Sequence, residues 1–316
     1  MRPLVQRIGH VTLGVPDPAA AAEDAVAMLG LRIVEAGDGR MVLSSNDRSA
    51  ELVFNHAERS EIQICGLEAV SAAAVDAVRA RCENAKLEIL SDLPSLSGVE
   101  RAVTFATSEG HVFEVHTPLP SSASERLAAP GLRARSLDHI NVTAEDPERF
   151  TREMNTGCGL LLSQRSSGYE ISWMRAGNYR HHTVAVVKSR TGVHHISWEF
   201  ASFQDFRTVA DGLASRDRRI VWGPGRHGPG DNLFIYYRDV SGFMTECIAE
   251  MEVILDDDQP AIVVDPGENL SNYKVVNQWG ALPPQDWIDH HTPFARYRAG
   301  GSQPGSRRDE PRQDTS

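Results

Sequence analysis

Apolar and polar positions along this chain alternate between strand and helix spacing in an order that recurs four times. Residues 5–15 are apolar and β-branched in the manner of a strand. The alanine-rich stretch from Pro18 to Leu29 predicts a helix. Asp17 is placed to cap it, Pro18 suits its first turn, and Gly30 stops it. Strand-like runs follow at 31–35, 40–44 and 51–55, giving a β-α-β-β-β order. That order returns with a strand at 61–66, an amphipathic helix at 68–85, and strands at 87–90, 101–107 and 112–116. Residues 118–129, rich in Pro, Ser and Ala, read as a linker. Beyond it, a strand around His139 leads into a helix at 147–155 and strands at 159–164, 169–175 and 183–188. A last unit starts at Val193, with a helix at 203–215 and strands near Val221, at 232–238 and at 243–248. After Met251 the periodicity gives way to an acidic segment punctuated by proline.

The repetition extends to residue identities. Ile8-Gly-His-Val-Thr-Leu13 matches Leu137-Asp-His-Ile-Asn-Val142, with His10 and His139 lying 129 positions apart. The same spacing relates Asp17-Pro18 to Asp146-Pro147 and Gly30-Leu31 to Gly159-Leu160. A spacing of 132 relates Gly110-His-Val-Phe-Glu114 to Gly242-Phe-Met-Thr-Glu246. The chain is therefore a tandem duplication. The expected architecture is α+β, two tandem domains of two β-α-β-β-β modules each. Their expected limits are 1–119 and 135–252, joined by a linker at 120–134 and followed by a C-terminal extension at 253–299. Residues 300–316 are nearly all polar, Gly or Pro, and disorder is expected there.

Candidate chemistry sits in the second half. His139, His195 and Glu246 lie in three separate strand-like segments and could close around one metal ion. Two imidazoles and a carboxylate on one face leave the opposite coordination positions open, as a non-haem Fe(II) oxygenase requires. In the first half, the spacing of 132 sets Gln63 opposite His195. His10 and Glu114 then lack a middle ligand and are expected to be structural relics, with metal bound by the second half alone.

Composition narrows the classes further. The net charge of −11 argues against a nucleic-acid backbone as partner. No run approaches eighteen apolar residues, and Met-Arg-Pro-Leu-Val-Gln-Arg leads straight into the first strand, so no membrane association and a cytoplasmic location are expected. The four cysteines form no Cys-x-x-Cys pair and are expected to be reduced and mostly buried.

Four such units, with a silent first pair and a ligand-bearing second pair, resemble the vicinal oxygen chelate superfamily and, within it, the type I extradiol ring-cleaving dioxygenases. The resemblance spans about residues 5–250. It implies the glyoxalase-like fold and the metal ligands His139, His195 and Glu246. His195 is preferred to His194 because it holds the place in its strand that His139 holds in Leu-Asp-His, and His194 is then expected to face the other side. Arg180-His-His-Thr-Val-Ala-Val186 is similar to the family strand bearing the acid-base histidine, with Ala185 marking His182. Gly223-Pro-Gly-Arg-His-Gly228 is similar to the segment that brings a second histidine, here His227, over the substrate. Asn232 to Asp239 is similar to the strand whose tyrosine, here Tyr236, points at a substrate oxygen, with Tyr237 turned away.

The resemblance implies Fe(II), with Mn(II) accepting the same ligands, and a catecholic small molecule and O2 as partners. The ring would open beside its two hydroxyls with both oxygen atoms incorporated. His182 would carry protons, and His227 and Tyr236 would hold substrate oxygens. A homo-oligomer is implied by the resemblance alone. The same fold also resembles glyoxalases, epimerases and fosfomycin-modifying enzymes, and a non-catalytic small-molecule binder of this fold is a further alternative. Plainer readings exist for single residues: Tyr236 as core, His227 as a solvated loop residue, Trp173 and Trp198 as core or pocket wall, Asp256-Asp-Asp258 as an acidic turn, and His290-His291 as surface.

Overall fold

A computed structural model of the protein describes residues 3–121, 132–265, 267, 272 and 275–297. Most of the linker and the tail at 300–316, for which disorder was expected, lie outside the described residues. The first unit comprises β1 (Val5–Val15), α1 (Pro18–Leu29), β2 (Arg32–Gly37), β3 (Arg40–Ser44) and β4 (Leu52–His56). The second comprises β5 (Glu61–Ala69), α2 (Ala72–Asn84), β6 (Glu88–Ser91), β7 (Ala102–Ala106) and β8 (Val112–His116). In the third are β9 (Ser136–Ala144), α3 (Pro147–Cys158), β10 (Leu161–Ser166), β11 (Ile171–Arg175) and β12 (Val184–Lys188). The fourth holds β13 (Gly192–Glu199), α4 (Phe203–Ala214), β14 (Ile220–His227), β15 (Leu233–Arg238) and β16 (Met244–Ala249). The extension adds β17 (Ile262–Val264), β18 (Asn277–Trp279) and a short helix, α5 (Gln285–Ile288).

The duplicated helix signals act as the sequence indicates. The Asp17 carboxylate accepts from Ala20 N at 3.0 Å and that of Asp146 from Arg149 N at 2.9 Å. Gly30 and Gly159 end α1 and α3 in the left-handed region, at φ of 66° and 71°. One boundary differs from expectation. The helix α2 begins at Ala72, not Glu68, because Ser71 caps it and β5 continues to Ala69. Glu68 there pairs with His116 across the sheet and accepts from Arg7 at 2.8 Å, contacts that a helical turn would forfeit.

Each half forms one sheet around a central antiparallel pair, β1 with β5 and β9 with β13, and each central strand has a parallel neighbour on its other side. The extension widens the second sheet at both edges, β17 beside β10 and β18 beside β14. The register also corrects one sequence equivalence. His10 faces Gly66 and Gly66 faces Glu114, just as His139 faces Ser197 and Ser197 faces Glu246. Two residues back from Gly66 and Ser197 lie Ile64 and His195, so Ile64, not Gln63, stands opposite the second histidine. The spacing of 132 holds for β8 and β16 but shortens by one residue at β5 and β13. Gln63 instead accepts from Asn55 Nδ2 at 2.8 Å.

The two halves share one apolar core, running from Val5 and Leu13 through Phe113 and Phe150 to Trp198 and Tyr237. A buried polar junction fixes their relation. The Glu51 carboxylate is ion-paired with Arg48, accepts from Ser45 N at 2.6 Å, and accepts from Leu137 N of the other half at 3.1 Å. Arg48 in turn donates to the carbonyls of Ile8 and Gly9 on β1, at 3.3 and 3.2 Å. All four cysteines are free and buried. Among the described residues no helix is long and apolar enough to cross a membrane.

Removing one member of a buried ion pair leaves the other charge uncompensated, at a cost of about 3–5 kcal/mol. Glu51→Ala is expected to lower unfolding stability by that amount in a urea titration. A loss below about 1 kcal/mol would show that the junction does not hold the halves together.

Candidate active site

The sheet register assembles the three proposed ligands. The antiparallel pairing of β9 with β13 and the parallel pairing of β13 with β16 set His139, Ser197 and Glu246 in one row. His195 joins the same face from the neighbouring position on β13. Ser197 is fully buried and small, leaving the space above it to the larger side chains. One nitrogen from each of His139 and His195 and one oxygen of Glu246 lie within 4.8 Å of one another, all three residues buried. Among the described residues no other three His, Cys, Asp or Glu side chains converge in this way, and none do so around His10 and Glu114.

The donor set fits a divalent cation. His139 Nε2 lies 2.9 Å and His195 Nε2 3.4 Å from Glu246 Oε2, yet that fully buried oxygen accepts no hydrogen bond. Nitrogens this close to the oxygen without hydrogen-bond geometry are placed to share a third, positive partner with it, and a cation is the partner all three can share. On the far side of the His139 ring, Nδ1–H donates to Asp138 Oδ2 at 2.8 Å, which turns Nε2 toward Glu246 as the atom open to a cation.

His182, His227 and Tyr236 gather around this cluster. The ring of His182 lies 4.2 Å from that of His139, centroid to centroid. His182 Nδ1 lies 3.0 Å from His181 Nδ1, and His181 Nε2 lies 3.3 Å from Gln164 Oε1. The amide oxygen only accepts, so His181 donates to it, accepts from His182 Nδ1–H, and leaves His182 Nε2 as an acceptor. His227 Nε2 lies 3.0 Å from Tyr236 Oη and 3.3 Å from Glu246 Oε1. Tyr237 points to the opposite side and packs against Arg218, as strand alternation requires.

Two features depart from expectation. His194 does not turn away from His195: a bulge between Val193 and His195 breaks the alternation, and the two Nδ1 atoms lie 2.7 Å apart. His290 is not a free surface residue but packs half-buried against His194, with ring centroids 6.0 Å apart. Sequence reasoning also missed Trp287, whose indole closes one wall at 5.3 Å from the Tyr236 ring and 4.5 Å from that of Trp222. Asn141 was missed as well. It follows His139 by two positions on the same strand face, opposite His195, with its buried Oδ1 unpartnered. The two-residue spacing was a usable signal for Asn141; nothing local marked Trp287.

Electrostatics separate the groups. Burial alone would lower the pKa of His139, but Glu246 and Asp138 outweigh it and raise it to about 9. Burial, with the neighbouring His139, holds His182 well below the ordinary imidazole value, and burial also keeps His195 neutral. Against its own burial, Glu246 is held well below the usual carboxylate range by His139 and His195. Burial and the Glu246 charge push the Tyr236 phenol upward, so it stays a neutral donor.

Comparison with known proteins shows what this chain is similar to. Residues 7–115 match the family described as the Glyoxalase/Bleomycin resistance protein/Dioxygenase superfamily. Homoprotocatechuate 2,3-dioxygenase from Arthrobacter globiformis superposes with a TM-score of 0.83 at 21% identity, covering 93% of this chain and 94% of that one. The Mn(II)-bound glyoxalase from Novosphingobium aromaticivorans superposes with a TM-score of 0.79 at 24% identity, covering 94% and 97%. The chain thus has the fold of these proteins, and its first half matches the superfamily to which that description applies. In sequence it is similar to metapyrocatechase 2 of Cupriavidus necator, 24% identical over 91% of this chain and 92% of the relative.

A cation must displace the proton that His139 holds up to about pH 9. Mn(II) affinity is therefore expected to strengthen about tenfold per pH unit between pH 6 and 8, the slope of one displaced proton. Free Mn(II) counted by electron paramagnetic resonance in a titration reads it. Affinity unchanged across that range would remove His139 from the ligand set.

Proposed function

We propose that the protein is an extradiol dioxygenase that uses Fe(II), with Mn(II) as a competent substitute, to open a catecholic ring beside its two hydroxyls. The ligands are His139, His195 and Glu246. The observation that carries this reading is the buried, unpartnered Glu246 Oε2 between two imidazoles, with His182, His227 and Tyr236 grouped around it. The similarity to metapyrocatechases over nearly the whole chain supports it.

Fe(II) held by His139, His195 and Glu246 would lower the pKa of the catechol hydroxyls and would supply the redox chemistry that couples the catecholate to O2. The side chains supply proton handling and position. His182 is neutral and turns Nε2 toward the site, so it accepts a hydroxyl proton there and returns it as the ring opens. Tyr236 stays protonated and donates to a substrate oxygen, while His227 steadies developing negative charge beside it. Trp222, Phe234 and Trp287 wall the His227 side with aromatic surface, suited to exclude water from a flat ring. Both atoms of O2 end in the ring-opened acid.

Protein purified without air and reconstituted with Fe(II) is expected to consume O2 in step with a visible-absorbing product across some member of a catechol panel. No uptake with any catechol while iron stays bound would overturn the proposal. His182→Ala is expected to lower kcat by about 10²- to 10⁴-fold with iron content intact, whereas Glu246→Ala loses the iron. The opposite assignment of losses would reverse the division of roles.

A further inference from the structure

The C-terminal extension reaches the site through its backbone. Thr292 exchanges two hydrogen bonds with Val193, N to O and O to N at 2.8 Å each, immediately before the His194-His195 pair. Nearby, the carbonyl oxygen of Trp287 in α5 lies 2.8 Å from His194 Nε2. At the opposite side of the cluster, β18 pairs with β14, and the carbonyl oxygen of Val276 just before it lies 3.1 Å from His227 Nδ1. That carbonyl also accepts from Gly228 N at 3.2 Å, which fixes its direction.

A carbonyl oxygen only accepts, so each contact dictates which ring nitrogen carries hydrogen. Facing Trp287, His194 must hold its hydrogen on Nε2. Its Nδ1 is then a lone pair, and the His195 Nδ1 at 2.7 Å must donate to it. His195 is left with its lone pair on Nε2, the atom 3.4 Å from Glu246 Oε2. At His227 the Val276 carbonyl accepts from Nδ1–H, while Nε2 lies between Tyr236 Oη at 3.0 Å and Glu246 Oε1 at 3.3 Å. The reverse tautomer at His195 would set the His194 Nε2 lone pair against a carbonyl oxygen, a repulsive contact in a buried place.

We propose that the extension is a tautomer-setting frame, in which the Trp287 carbonyl acting through His194 turns the Nε2 lone pair of His195 into the site. His194 is thereby a positioning residue for a ligand it does not replace. The His195 part rests on the metal reading above; the tautomers themselves do not.

The test uses the full chain and two readouts. Nitrogen-15 spectra of the histidines in the metal-free protein are expected to show hydrogen on Nδ1 of His195 and on Nε2 of His194. Hydrogen on Nε2 of His195 would overturn the frame. In Mn(II) titrations, His194→Leu is expected to weaken binding by about 10- to 100-fold, the usual cost of losing a group that orients a ligand. His194→Gln keeps a donor for Trp287 and an acceptor for His195, and is expected to stay within about threefold of the unaltered protein. Equal binding by His194→Leu, or equal losses in both variants, would reduce His194 to packing. If the unaltered protein binds no Mn(II), the metal reading fails while the nitrogen-15 pattern still decides the frame.

Discussion

A carboxylate removed from water as completely as Glu246 costs several kcal/mol unless opposite charge and donors surround it. Its Oε1 faces His227, while its Oε2 has two imidazole nitrogens within 3.4 Å and no hydrogen bond. The need for a positive partner there organises the rest. Asp138 turns His139, His194 turns His195, and the two central strands of the second sheet keep the three side chains in one place. Without a cation the proton on His139 takes part of that role, which is why its affinity for hydrogen is raised.

The first half shows the same frame with the need removed. Glu114 occupies the place of Glu246, but Ser95 N and Oγ donate to its two oxygens at 2.9 Å, and Thr104 Oγ1 lies 3.3 Å away. Burial raises its pKa, and burial lowers that of His10, so both tend toward their neutral forms. Ile64 fills the place of the second histidine. One duplicated scaffold thus holds one charged cluster and one satisfied by hydroxyls and backbone.

Much of this was legible in residue order because it is locally encoded. Asp-Pro entries and Gly stops repeat in α1 and α3, and His139, Glu246 and Tyr236 sit in strands whose alternation alone separates Tyr236 from Tyr237. What escaped is set by contacts distant in sequence. The strands β17 and β18 are three residues each and exist because β10 and β14 offer edges to pair with. The bulge that brings His194 beside His195 has no signature in Val193-His-His-Ile, and the one-residue slip from Gln63 to Ile64 is visible only in the ladders. Trp287 carries no motif; its carbonyl matters because the chain returns there.

The central claim is that one ion sits between His139, His195 and Glu246 with room left for substrate. Diffraction from crystals of the Mn(II)-loaded protein, with anomalous scattering to locate the metal, tests it most directly. A single strong peak about 2.0–2.3 Å from the three ligating atoms is expected, by the measure of other His and carboxylate sites, with the remaining coordination filled by water. A peak at His10 and Glu114 instead, or a fourth protein side chain closing the coordination sphere, would contradict it.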